Sequence, residues 1–193
     1  MLFNLGTNLK IAASSLAFCA AAVYAGATLA GAVTPEMQQK IDAYKAKAAA
    51  LATDPMLVQS VKDANAKGPI PGMDNTKWGP LPESDAMVAE MVNKAGGKLL
   101  TKWMNDDAKG LNKLVLTGNK GHRFAFTSKP ASYQSKDKTH FSESFGGKVW
   151  QMKDSQPDPS TNIDTVQITV PVKDGGEIIG VLLLSLTADN LRK

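Results

Sequence analysis

The chain has 193 residues, with 22 Lys and Arg against 18 Asp and Glu and a formal net charge of +4, a length suited to one domain with small attachments. A composition 43% hydrophobic and 21% charged excludes wholesale disorder. The excess positive charge argues against a nucleic-acid partner: Arg123 and Arg192 are the only arginines, and the lysines are scattered from Lys10 to Lys193, whereas nucleic-acid binders cluster their charge and favour the forked guanidinium.

Residues 1–34 carry one charged side chain, Lys10, and every acidic residue follows from Glu36 onward. The run Ile11 to Leu29 is uncharged and rich in Ala, and it leads to Ala25-Gly26-Ala27 and Ala30-Gly31-Ala32. A basic start, an apolar run and small-residue ends predict a secretory signal peptide over 1–32 and a periplasmic protein. Cleavage at the second site fits better, because Thr34-Pro35-Glu36 opens a helix directly afterwards. The alternative is an uncleaved membrane anchor, since the run is about long enough to span a bilayer. Cys19, the single cysteine, lies inside this run, and the bulky Phe18 before it spoils a lipoprotein signal. A mature chain of 33–193 then has no disulfide, no thiol nucleophile and no thiolate metal ligand.

Segment 33–67 reads as an N-terminal helix. Met37, Ile41, Tyr44, Ala48 and Leu51 form one apolar stripe, and Met56, Leu57, Val61 and Ala64 continue it. Asp54-Pro55 repeats the cap-and-proline pair, so the helix kinks or breaks there. Segment 68–110 is a connector with short helices: Pro- and Gly-rich around Trp78, amphipathic from Ser84 to Asn93, and helical again at Leu99 to Met104 after a Gly96-Gly97 break. From Leu111 the period changes to two. Lys113–Thr117 and His122–Thr127 flank the turn Gly118-Asn119-Lys120-Gly121, and Lys148–Met152 is a third strand. Asp164–Val172 alternates, with Val166, Ile168 and Val170 on one face. Asp174-Gly175-Gly176-Glu177 turns into Ile178–Leu186, apolar enough for a central strand. Helices first, then five strands over 111–193, predict an α+β domain with an antiparallel sheet. The long polar connection 128–147 carries Tyr133, Phe141 and Phe145 and should cover a sheet face. The helix would cover the other.

Little here supports an enzyme. His122 and His140 sit at a strand start and in a polar loop, with no cysteine or carboxylate cluster for a metal. Asp106-Asp107 are adjacent and so face different directions on a helix. The glycine pairs match no phosphate-binding loop, and no Gly-x-Ser-x-Gly elbow is present.

Five motifs recur in one order: Ala125-Phe126-Thr127; Tyr133, Asp137, Phe141 and Ser144-Phe145; Val166 to Pro171-Val172; Asp174-Gly175-Gly176-Glu177; and Ile179-Gly180-Val181. On these the stretch Leu114 to Leu191 resembles the extracytoplasmic Cache (PAS-like, PDC) sensor family, in particular its short single-module periplasmic forms. The resemblance implies a five-stranded antiparallel PAS-like sheet, with a long N-terminal helix on one face and a crossover on the other. It further implies a non-enzymatic module without a cofactor that binds a small organic ligand and acts through a membrane sensor kinase or cyclase. A homodimer through the N-terminal helix would follow the same layout. Ser132, Gln134 and Ser185 stand where the family usually has aspartate, tryptophan and aspartate, which argues against the usual grip on an amino-acid ammonium group. The same fold reused for protein interaction, without a small ligand, is the alternative.

Under the crossover, Arg123 is the natural partner for a ligand carboxylate, a surface salt bridge being its other reading. Tyr133 and Trp150 offer apolar walls with polar handles. Gln167, Thr169 and Ser185 are polar groups opposite Val166 and Ile168; the same alternation also fits a plain solvent-facing side. Strand alternation points either Arg123 and Ala125 or Phe124 and Phe126 at the ligand, so Phe126 is a candidate beside Arg123.

Overall fold

The computed structural model describes residues 31–193, so the expected signal peptide lies almost wholly outside the described residues. Helix α1 (Pro35–Leu51) starts where the Thr34 hydroxyl accepts from the Met37 N–H at 3.3 Å. At Asp54 the helix breaks rather than kinks. The Asp54 carboxylate accepts from the Met56 and Leu57 amides at 2.8 and 3.3 Å and opens a separate helix, α2 (Pro55–Lys67). A side-chain cap of this kind contributes about 1 kcal/mol, and Pro55 cannot donate back into α1. Among the described residues no helix is long and apolar enough to cross a membrane.

The connector is more ordered than its composition suggests. It holds helix α3 (Asn75–Trp78), whose Trp78 is fully buried and donates its indole N–H to the Pro130 carbonyl at 2.7 Å. Helix α4 (Ala86–Asn93) is capped by Asp85. Gly96-Gly97, expected as a break, instead forms the first turn of α5 (Ala95–Asp106). A Cβ on Gly97 would stand 2.2 Å from the Val92 carbonyl oxygen, and one on Gly96 3.2 Å from the Ala125 Cβ. The glycines therefore let α5 start against the end of α4 and lie close on the sheet.

The strands are β1 (Leu111–Gly118), β2 (Arg123–Phe126), β3 (Trp150–Gln151), β4 (Gln156–Pro157), β5 (Asp164–Asp174) and β6 (Glu177–Thr187). They form one antiparallel sheet in the order β2-β1-β6-β5-β3, with the short β4 added beside β5 as a sixth strand beyond the expected five. Two further helices, α6 (Thr139–Phe145) in the crossover and α7 (Ala188–Arg192) at the end, complete the fold.

On one face Leu114, Leu116, Val166, Ile168, Val170, Leu182 and Leu184 pack with Met37, Ile41, Leu57, Val61 and Leu100 of the helices. On the other face Val115, Phe126 and Leu183 meet Trp78, Val88, Met91 and Tyr133. Strand β6 is buried from Gly180 to Leu186, as an apolar central strand requires, since each Leu or Ile taken from water stabilises by about 1.5–3 kcal/mol. The crossover is fastened over β5 by Ser144, whose hydroxyl lies 2.7 Å from Thr169 Oγ1, while Thr169 donates to the His140 carbonyl at 2.9 Å.

Candidate functional site

The register of β2 decides what faces the crossover. Val115 pairs with Phe126, Leu116 with Ala125 and Thr117 with Arg123, so one extra residue, Phe124, bulges out of step. Paired residues share a sheet face. Arg123 and Phe126 therefore both lie on the crossover side, while Phe124 and Ala125 pack with the helices. Simple alternation would have separated Arg123 from Phe126.

Arg123 is 8% exposed, and its Nη1 donates to the Ser132 carbonyl at 2.8 Å and to the Ser132 hydroxyl at 3.0 Å. Its Nε is buried and unpartnered, and among the described residues the guanidinium forms no ion pair. Burial pushes its pKa down to about 10, against a weaker upward pull from Asp158. It stays charged at neutral pH, as a desolvated cation with no counter-ion in contact.

Beside it lies a second buried charge that is fully partnered. Lys113 of β1 donates to both oxygens of Asp158 at 2.7 and 2.9 Å and also to the Ser160 hydroxyl. Asp158 further accepts from the Ser160 amide at 2.9 Å. Burial lowers the Lys113 pKa, with Asp158 pulling the other way. For Asp158 burial pulls upward, but Lys113 and Ser160 outweigh it and hold the carboxyl below its ordinary value. The pair is a neutral unit.

These groups surround a cavity of about 270 Å³. Lys113, Val115, Arg123, Gln167 and Leu183 rise from the sheet; Pro130, Ala131, Ser132, Lys138 and His140 descend from the crossover; Asp158 and Pro159 close one side. With Lys113 and Asp158 cancelling, Arg123 and Lys138 leave it electropositive. His140 reports that field: burial first, then the charges of Arg123 and Lys138, push its pKa down to about 4. Among the described residues no cluster of three or more His, Cys, Asp and Glu is placed to hold a metal ion.

Of the residues singled out from sequence, Arg123 and Gln167 stand on this wall. The others do not. Phe126 is core, edge-on to Trp78 with ring centroids 5.9 Å apart. Tyr133 is buried, its hydroxyl accepts from the Ile70 amide at 2.7 Å, and its ring borders a different cavity. Trp150 pairs with Thr169 on β3 and lies 5.8 Å from the His140 ring. Thr169 spends its hydroxyl on α6, and the Ser185 hydroxyl lies buried at 3.4 Å from Asn112 Nδ2, opposite Gln167 in register. Sequence reading missed Lys113, Asp158 and His140. The available signal was Lys113 itself, a charge in the middle of an apolar strand.

The strand order, the helical layer on one face and the cavity under the crossover on the other define the fold of a Cache-type (PAS-like) sensor domain. Among solved structures, the sensor domain of the V. cholerae histidine kinase DctB matches with a TM-score of 0.58 at 14% identity, covering 81% of this chain and 52% of that one. The ligand-binding domain of the Pseudomonas aeruginosa amino-acid chemoreceptor PctC, in complex with GABA, matches at 0.45 and 11% identity over 80% of this chain and 56% of that one. The sensory domain of the Campylobacter jejuni chemoreceptor Tlp3 matches at 0.47 and 14% identity over 81% and 57%. The chain thus spans about half the length of the sensor domains it matches. No protein-family model and no curated protein matches the sequence.

Proposed function

We propose that the protein is a ligand-binding sensor module that takes a small organic anion in the cavity beneath the crossover. The observation carrying this reading is Arg123: a buried, charged guanidinium on the cavity wall with no carboxylate in contact. Ser132 engages only Nη1, so a ligand carboxylate would accept a charge-assisted hydrogen bond from Nη2. That replaces the hydration the cation gave up on burial. Ser132, in place of the family's usual loop aspartate, supports anion over ammonium. A bound anion would bridge the sheet, through Arg123 and Gln167, to the crossover, through Ser132, Lys138 and His140. Drawing these together is the conformational signal passed to a membrane sensor kinase or cyclase.

Export by a cleaved signal peptide and a homodimer through α1 belong to the same reading. The intact mass of protein from an osmotic-shock fraction tests the first: a species starting at Val33 supports it, and one retaining residues 1–30 overturns it. Light scattering tests the second. The anion claim is tested by titration calorimetry with short mono- and dicarboxylates. Saturable binding supports it, and absence of binding across the series would favour the protein-interaction alternative.

A further inference from the structure

A second cavity, of about 630 Å³, lies between α2, α4, the start of α5 and the edge strand β2. A volume of this order accommodates a drug-sized molecule. Its surface is mainly apolar, with Ile70, Met87, Met91, Phe124 and Ala125 on the walls. Met87 and Met91 stand one turn apart on α4, and their unbranched thioether side chains adapt to apolar bodies of varied shape.

The charged lining does not balance. Lys67, Lys94 and Arg123 stand against Asp63 and Glu90, and both carboxylates are already engaged. Glu90 pairs with Lys94 at 2.7 Å, and Asp63 accepts from Gln59 Nε2 at 2.8 Å. Lys67 forms no ion pair among the described residues. It projects from the last turn of α2 toward α4, near enough that, after Lys94, it helps to hold the Glu90 carboxyl below its ordinary value. Helix α5 also opens on this wall without a side-chain cap, so the positive end of its dipole adds to the same field.

Lys67 and Lys94 are exposed, whereas Met91 is buried and Met87 and Phe124 are half-buried. The cations therefore stand at the mouth and the apolar surface lies within. Such a division suits a molecule whose body leaves water while its charged head stays at the opening, where neither partner of the ion pair is fully desolvated.

We infer that this cavity is a second ligand site, for an amphiphilic monoanion: an alkyl or aryl body ending in one carboxylate or sulfonate. The crossover cavity, at about 270 Å³ and with polar walls, suits shorter acids, and the inference does not depend on that reading.

The probes are a matched pair. 8-Anilinonaphthalene-1-sulfonate and N-phenyl-1-naphthylamine share one aromatic frame, fluoresce more brightly in apolar surroundings and differ by the sulfonate. Titrated into the purified protein, the sulfonate should bind saturably at one site per chain, and about fivefold more tightly than the neutral amine. Decanoate should displace it and acetate should not. Lys67→Glu, at an exposed position, should weaken the sulfonate about fivefold and leave the neutral amine unchanged. Ala86→Trp fills the mouth from an exposed helix position and should abolish binding of both while the melting curve stays that of a folded protein. Equal affinity for the two probes in the wild-type protein would overturn the inference, as would failure of the sulfonate to saturate at one site. So would wild-type affinity for the sulfonate in either variant, or displacement by acetate but not by decanoate.

Discussion

Replacing Arg123 by methionine separates function from stability, because the two should move in different directions. The substitution keeps most of the buried aliphatic stem and removes the charge. Two hydrogen bonds to Ser132, at 2.8 and 3.0 Å, are lost, costing about 1.5–3 kcal/mol each for a charged donor, part of which returns because Ser132 is only half buried and regains water. Against this stands the relief of a desolvated cation. A pKa pushed from 12.5 to about 10 corresponds to about 3 kcal/mol of disfavoured charge. The opposing effects are of similar size, so stability should change by less than about 2 kcal/mol, and an increase is as consistent with the balance as a small loss. Binding has no such compensation. Loss of hydrogen bonds to a charged group removes about 1.5–3 kcal/mol, or about 10- to 150-fold in affinity. Calorimetric titration of a binding carboxylate into the wild-type and Arg123→Met proteins, beside their thermal melts, measures both. A folded Arg123→Met protein that binds the anion with wild-type affinity would refute the reasoning.

The Lys113–Asp158 pair should behave in the opposite way. Asp158→Asn leaves a buried ammonium and should cost about 3–5 kcal/mol, while Lys113→Met combined with Asp158→Leu should recover most of the loss; chemical denaturation checks both. His140 predicts acid sensitivity. Its folded pKa of about 4 lies below the ordinary 6.5, so between those values the unfolded chain binds a proton that the folded chain refuses, and stability falls as pH drops through that window. Asp158, also depressed, extends the loss below its ordinary 3.8, and His140→Phe should flatten only the upper part of the profile. Hydrogen exchange should be slowest over residues 178–186, in the strand paired on both sides and covered on both faces; rapid exchange there would contradict the architecture.

Local rules carried much of this fold. The Thr34-Pro35 and Asp54-Pro55 caps, the apolar stripe from Met37 to Val61 and the alternation of β5 depend on residues a few positions apart, and the structure follows them. What sequence did not disclose depends on distant chain. Trp78 sits in a Pro- and Gly-rich stretch with no periodicity, and its burial is decided by the Pro130 carbonyl 52 residues away. Gly96-Gly97 reads as a breaker by propensity, but the crowding of Val92 and Ala125 makes glycine the residue that lets the helix start there. The candidate site divided in the same manner. Arg123 stood out by scarcity, yet its face was fixed by a one-residue bulge that alternation cannot foresee. Lys113 and Asp158, 45 positions apart, meet only once β1 and the loop before β5 are in place. Thr169 and Ser185 have the right period for a cavity wall, but their hydroxyls are turned to the crossover helix and to Asn112.

The central claim, that the crossover cavity holds a small organic anion, is tested most directly by a thermal-shift screen of the purified protein against short carboxylates, amines and purines. A ligand at 100 times its dissociation constant stabilises by about 2.7 kcal/mol, which raises the melting temperature of a domain this size by about 5–10 °C. The account predicts a rise with at least one carboxylate, none with amines or purines, and loss of that rise in Arg123→Met. A rise with amines alone, or a carboxylate effect that survives in Arg123→Met, would contradict it.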